Sequence, residues 1–258
     1  YSYIEDYFAR VATAMTRGKA DVKVGVIHPI ESYWISYGPV AQTQEQRDQL
    51  DQQYKELIEW LLFGLIDFDL ISESMLAAEP MPVSGSMPEP VPVSGSVPEP
   101  VTVSGSMPEP VPVSGSMLAS EPALERKERQ EGSRPVFKVG EMAYQTIIVP
   151  GLRTIRSSTL KRLEAFAAAG GQVIFAGEIP GLEDAAPSGR AFKLAEASKV
   201  TAFNRREILE ALECDRSLEI RCRDGRRTEN LFYQMRQDGE EHWLFVCHVK
   251  EQKYRADQ

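Results

Sequence analysis

Cysteine is scarce in this chain, and its scarcity excludes two common frameworks. Cys214, Cys222 and Cys247 make an odd count of three among 258 residues. None forms a Cys-x-x-Cys spacing, so neither a disulfide scaffold nor a zinc site is indicated. The plain reading is reduced thiols in a cytoplasmic protein. Histidine is nearly absent too. His242 and His248 share one face of a strand-like run but stand about 20 Å apart, too far for one metal. No metal and no cofactor is expected. Basic charge is in deficit, with 29 Lys and Arg against 38 Asp and Glu and a net charge of −9, so a nucleic-acid partner is excluded. The longest basic cluster, Arg221 to Arg227, is broken by Asp224 and Gly225 and reads as a hairpin turn. No apolar run approaches the ~18–20 residues that span a bilayer. The best candidate, Leu61 to Ile71, carries Asp67 and Asp69, so no membrane partner is expected. Phosphate-cradling loops are missing as well, because Gly25, Gly38 and Gly64 are scattered.

What is present is an alternation of helical stripes and short apolar runs. Ile4, Phe8, Val11 and Met15 lie on one helical face over residues 1–17, and Gly18 stands where a C-cap belongs. Val22 to His28 reads as a buried strand, ended by Pro29 and opening onto a loop that holds Glu31, Tyr33 and Trp34. Leu50, Tyr54, Leu57, Ile58, Leu61 and Leu62 form a second stripe over 43–63, and Phe68 to Ile71 is the next strand. Thr146 to Pro150 is a third. Ser157 or Ser158 can cap a helix carrying Leu160, Leu163 and Phe166, which Gly170-Gly171 stops before a fourth strand at Gln172 to Gly177. A further strand at Val200 to Phe203 precedes a helix at Arg206 to Leu212. The pattern then changes. Ser217 to Cys222, Leu231 to Arg236 and His242 to Val249 read as strands, with Asp224-Gly225 and Asp238-Gly239 as turns.

Between the second and third strands lies a ten-residue unit, Met-Pro-Glu-Pro-Val-Pro-Val-Ser-Gly-Ser, starting at Met87 and recurring with small changes at Val97 and Met107. Proline at that density forbids a helix or an interior strand, and the unit has too few large apolar side chains to bury. The hexapeptide Met75 to Pro80 nearly repeats as Met117 to Pro122. Removing the repeats and one flank therefore leaves an ordinary loop, and the stretch reads as an in-frame expansion at a surface position.

Several segments together resemble one known arrangement. They are Gly25 to Trp34, Leu65 to Glu73, Tyr144 to Pro150, and the Thr159-Leu160 helix ending in Gly170-Gly171-Gln172-Val173-Ile174. This set is similar to the β-galactosidase trimerisation-type domain of large bacterial glycoside hydrolases, α-L-rhamnosidase-like proteins among them. The resemblance covers about residues 22–202 without the repeats. It implies an α/β class, with a flavodoxin-like, class I glutamine amidotransferase-like parallel sheet and flanking helices, followed by a partial antiparallel β-sandwich. The expected division is a tail helix of an upstream barrel at 1–18, the accessory domain at 19–213, the repeat insertion at 79–122 and the start of the sandwich at 214–258. Tyr1 opens inside an amphipathic pattern, which fits an expectation that a catalytic barrel precedes it. The resemblance implies carbohydrate met through that barrel, and self-association of the chain. The alternative reading is a stand-alone binding module with a Pro-rich interaction arm.

No catalytic residue is expected in the chain itself. An amidotransferase-like fold invites a nucleophilic Cys on an elbow after a strand, but none of the three cysteines sits there. Cys222 and Cys247 read as small core residues. Asp67, Asp69, Glu31, Glu73 and Glu178 lie at predicted strand ends, where paired carboxylates could act on a sugar bond or merely cap loops. The candidate substrate contacts are His28, Glu31 and Trp34, which join an imidazole, a carboxylate and an indole in one loop. Against that stands the alternative that Trp34 packs on a partner and His28 is a satisfied core group. One expectation is independent of function. Loop closure entropy grows slowly with length, so deleting residues 81–122 should leave the urea unfolding free energy within about 1 kcal/mol of the parent. A lost cooperative transition would show that the repeats belong to the core.

Overall fold

Three runs, Val-Gly-Val-Ile, Thr-Ile-Ile-Val and Gln-Val-Ile-Phe-Ala, are apolar nearly throughout rather than alternating, which suits strands covered on both faces. They build a sheet with two others. Its strands are β1 (Val24–Ile27), β2 (Phe68–Ile71), β3 (Thr146–Val149), β4 (Gln172–Ala176) and β5 (Lys199–Thr201). Their order is β2-β1-β3-β4-β5, and every neighbouring pair is parallel. The computed structural model describes residues 1–78 and 134–249. The insertion assigned to 79–122, the charged stretch to 133 and the last nine residues of the expected sandwich lie outside the described residues.

Seven helices accompany the described strands: α1 (Ser2–Met15), α2 (Ile30–Ile35), α3 (Val40–Phe63), α4 (Glu73–Ala78), α5 (Ser157–Ala168), α6 (Arg190–Glu196) and α7 (Arg205–Ala211). Because successive strand residues point to opposite faces, the sheet sorts its side chains into two cores. Ile27, Ile71, Ile147, Val149 and Phe175 pack with Leu76 of α4, Leu160 and Leu163 of α5 and Leu194 of α6. Val24, Val26, Ile148 and Ile174 pack on the other face with Leu57 and Leu61 of α3 and Ile208 of α7. Truncating any of the fully buried leucines to Ala would cost about 2–5 kcal/mol. Gly25 is a tight point within the sheet. A Cβ there would stand 2.5 Å from Cδ1 of Ile71 and 2.9 Å from Cδ1 of Ile147, so a side chain there would force both isoleucines to shift.

A second, antiparallel sheet joins Lys19–Ala20 to β6 (Leu231–Asp238) and β7 (Glu241–His248). Gly18 turns the chain between α1 and this sheet at φ +54°, and a Cβ there would strike the carbonyl of Gln237. All the described residues fall in one compact unit, and no described helix is long and apolar enough to cross a membrane.

Several sequence expectations need correction. The segment after β1 is the helix α2 and not a loop, with Pro29 as its N-cap. Ser217 to Cys222 forms no strand; it contributes only an isolated bridge between Arg221 and Arg227 around the Asp224-Gly225 turn. Cys222 and Cys247 are exposed, as is Cys214, so none is a core residue. Neither Ser157 nor Ser158 caps α5. Its N-cap is Arg156, without a side-chain cap bond, and Asp184 accepts instead from the Ser157 N–H at 3.0 Å.

The two chain ends that flank the repeats are held together by a buried cation. Arg162 on α5 is only 6% exposed. It donates to the carbonyl of Leu76 at 3.3 Å and to that of Lys138, and its guanidinium lies 5.1 Å from the Phe137 ring centroid. Phe137 in turn meets Phe166 edge to face at 5.4 Å. Losing a buried donor leaves its acceptors unsatisfied at about 1–3 kcal/mol each. Arg162→Ala should therefore lower the unfolding free energy by about 2–4 kcal/mol. Arg162→Lys, with one ammonium in place of a fork, should recover less than half of it. An unchanged urea midpoint in Arg162→Ala would show that the clamp carries no weight.

Candidate functional site

In the order β2-β1-β3-β4-β5, the connections from β1 and β3 leave in opposite directions. Such a reversal opens a crevice beyond the carboxyl ends of the strands, where open α/β sheets bind ligands. The residues that follow β1, β2 and β3 meet there, and they bind one another. Ser32, 1% exposed, accepts the N–H groups of Arg153 at 3.0 Å and Thr154 at 3.2 Å and donates to the Thr154 carbonyl at 3.2 Å. The Arg153 guanidinium donates to Ser36 Oγ and Gln46 Oε1, both at 3.0 Å.

The carboxylates of this edge are likewise taken. Glu31 Oε1 pairs with Arg156 Nε at 2.5 Å. Glu73, 2% exposed, accepts the Arg156 N–H at 2.8 Å, and burial pushes its carboxyl above the usual range. Asp184 accepts at the next amide, and the hydroxyl and N–H of Ser157 hold its carboxyl below the usual range. The first amides of α5, a natural anion-binding position, are thus occupied by the protein's own acids. Asp184 and Ala185 both adopt positive φ, 49° and 64°, and the Ala185 N–H donates to Thr154 Oγ1 at 3.0 Å.

Helix α3 closes the crevice from above. Its 24 residues span about 36 Å, whereas a four-residue strand spans about 13 Å. Leu57 and Leu61 lie on the sheet, so the earlier turns run past its edge. There Gln46 reaches Arg153, and the Tyr54 ring meets His28 edge to face at 5.1 Å. Burial lowers the His28 pKa, which keeps the ring neutral at pH 7.

The three candidate substrate contacts therefore have three different surroundings. His28 packs under Tyr54, Glu31 pairs with Arg156, and Trp34 stands 62% exposed. Tyr37 and Val40 beside it are 74% and 65% exposed, with the Arg47 guanidinium 5.2 Å from the Tyr37 ring centroid. Glu178 is exposed after β4. Asp67 and Asp69 lie at the other end of the sheet. Asp69 accepts from the Tyr144 hydroxyl at 2.9 Å. Asp67 accepts the Phe68 N–H at 3.1 Å, and its other oxygen is buried without a hydrogen bond. Burial, aided by the charges of Asp69 and Asp21, pushes the Asp67 carboxyl up to about 6.

A cleft of about 370 Å³ opens between the end of α3, α7 and residues 213–229. Its charges cancel within the wall: Arg227 pairs with Glu213 and Glu219, Arg205 with Glu229 at 2.6 Å, and Arg216 with Glu213 at 3.3 Å. Among the described residues, no group of three or more His, Cys, Asp or Glu could hold a metal ion. Sequence reasoning missed Arg153, Arg156, Gln46 and Asp184, whose partners lie far away along the chain. The one local signal was Asp184-Ala185, a turn-forming pair that ends two residues before Pro187.

No family model matches the chain, and neither a curated protein nor a solved structure matches it.

Asp67 supplies a pH test. Its folded pKa lies above the unfolded value, so the folded state binds the extra proton and stability falls as pH rises from about 4 to 6. Solvent access reduces the effect to about 1–2 kcal/mol. Urea midpoints at pH 5 and pH 7 should differ more in the parent than in Asp67→Asn. Equal differences would remove Asp67 from the account.

Proposed function

We propose that this chain is the non-catalytic, flavodoxin-like accessory domain of a glycoside hydrolase, followed by the first strands of a β-sandwich. It packs on the catalytic barrel and walls the carbohydrate cleft. The finer fold reading is supported by the strand order, which is that of flavodoxin-type sheets. It is supported too by the distribution of helices, with α3 and α7 on one face and α4, α5 and α6 on the other.

The observation that carries the functional reading is a reversal of the usual arrangement. The crevice where such a fold would bind a ligand is lined by Arg156, Glu31 and Glu73, which bond one another, and by the overhanging turns of α3. The aromatic surface is outside it. Tyr3, Ile4, Tyr7 and Phe8 of α1 are 79, 53, 57 and 63% exposed, and Trp34 and Tyr37 are exposed at the opening of the crevice. A closed ligand site beside displayed aromatic faces favours docking over catalysis. In this reading α1 is a contact to the barrel, and Trp34 offers an indole face to a sugar ring at the rim of the cleft. The two carboxylates that flank the glycosidic bond belong to the barrel.

The test compares the chain alone with the chain joined to its glycoside-hydrolase barrel. Alone it should release nothing from aryl glycosides, and Glu31→Gln should change nothing. Joined, Ile4→Asp with Phe8→Asp should weaken association with the barrel about 30- to 1,000-fold, as two buried apolar anchors replaced by charges require. Sugar release by the isolated chain, abolished by Glu31→Gln, would overturn the non-catalytic claim. Association untouched by the α1 substitutions would overturn the docking claim.

A further inference from the structure

Strand β7 is the outermost strand of its sheet, with β6 on one side and no described strand on the other. Two hydrogen bonds settle which of its residues face outward. Val249 N donates to the Asn230 carbonyl at 2.8 Å, and Asp21 N donates to the Met235 carbonyl, on the far side of β6, at 2.9 Å. In the β6–β7 register Arg236 lies opposite Trp243 and Met235 opposite Leu244. Antiparallel bonding alternates strictly along a strand. Trp243, Phe245 and Cys247 are therefore bonded to β6, while His242, Leu244, Val246 and His248 direct their N–H and C=O groups away from the sheet.

Among the described residues nothing pairs with that edge, and an unpaired edge is a template for another strand. Proteins usually blunt such an edge with Pro, Lys or a bulge, and β7 has none of them. Its register with β6 runs unbroken through eight pairs, and its sequence is Glu-His-Trp-Leu-Phe-Val-Cys-His. Trp243, Leu244 and Val246 are 36, 49 and 40% exposed.

We infer that this edge pairs antiparallel with the same edge of a second copy of the chain. Only outward-facing residues can bond across the new ladder, so His242, Leu244, Val246 and His248 must oppose one another. The register centred on Phe245 meets that condition symmetrically. Leu244 of one copy lies across from Val246 of the other, Trp243 across from Cys247, and Phe245 across from itself. From His242 to Cys247 the strand carries no Asp, Glu, Lys or Arg, so the copy meets no like charge. An oppositely charged partner would equally find nothing to recognise. What the edge offers is backbone bonding and apolar cross-strand pairs, and its own copy returns both in one two-fold, isologous contact. The contact is short, which sets its dissociation constant on the order of micromolar.

The full chain tests it by sedimentation velocity across the micromolar range. The expected result is a monomer–dimer equilibrium that Val246→Lys weakens at least about tenfold, by charging the edge without touching the β6 ladder. A cysteine variant tests the register in a background with Cys214, Cys222 and Cys247 changed to Ser. Phe245→Cys should form a disulfide-linked dimer under mild oxidation, because directly opposed non-hydrogen-bonded residues lie about 4.5 Å apart at Cα. Gln237→Cys, in the same background, should not. A parent chain that stays monomeric across the range overturns the inference. So does a dimer unaffected by Val246→Lys, or a dimer in which Phe245→Cys fails to cross-link.

Discussion

The structure depends on the requirement that a parallel sheet be covered on both faces. β1 and β3 are buried at all of their positions, and a strand without a wet face has no polar alternation to orient it. Orientation comes from the helices that follow each strand. Val24 and Val26 face α3 and α7, while Ile27 faces the opposite core, and the missing side chain at Gly25 is the space that Ile71 and Ile147 occupy. Every connection must then cross to the correct face, and the strand order with its reversal between β1 and β3 follows from that sorting.

The reversal makes a crevice, and the chemistry of the crevice is inward-looking. Two arginines, two buried or half-buried carboxylates and two buried serines bind backbone, Gln46 and one another. Removing either charge of the Glu31–Arg156 pair would strand the other beside Glu73, which explains how a site rich in ionisable groups can serve as a joint. The same self-neutralisation recurs in the cleft between α7 and residues 213–229. Both places look like sites from their residue types, and most of their charges are paired within their own walls.

Much of the fold was legible because its signals are local. Apolar runs bounded by Pro and Gly located β1 to β4 to within two residues, the stripe from Leu50 to Leu62 located α3, and Gly170-Gly171 located the end of α5, where their N–H groups bond back to Ala167 and Phe166. The failures share a cause. Six residues of α2 have weak helical periodicity, and the helix is held by Ser32 and Ser36 bonding across the crevice. Leu218, Ile220 and Cys222 alternate as a strand should, but the segment is held instead by Arg227 reaching Glu213 and Glu219. Cys247 alternates correctly yet lies on a strand whose faces are largely open. The candidate contacts were read as one cluster because they are neighbours in sequence. Tertiary partners, Tyr54 for His28 and Arg156 for Glu31, divide them.

Arg162 adds a consequence of another kind. The carbonyls it joins belong to Leu76 and Lys138, one before the repeats and one after them, and Phe137 locks against Phe166 beside them. The two parts of the domain are thus fastened by noncovalent contacts at the place where the backbone departs and returns. Continuity of the peptide chain there is redundant. A protease that cut among the repeats would yield two fragments that migrate apart in denaturant but remain one particle in water, and the gene could be split at that point into two separately encoded polypeptides without dissolving the domain.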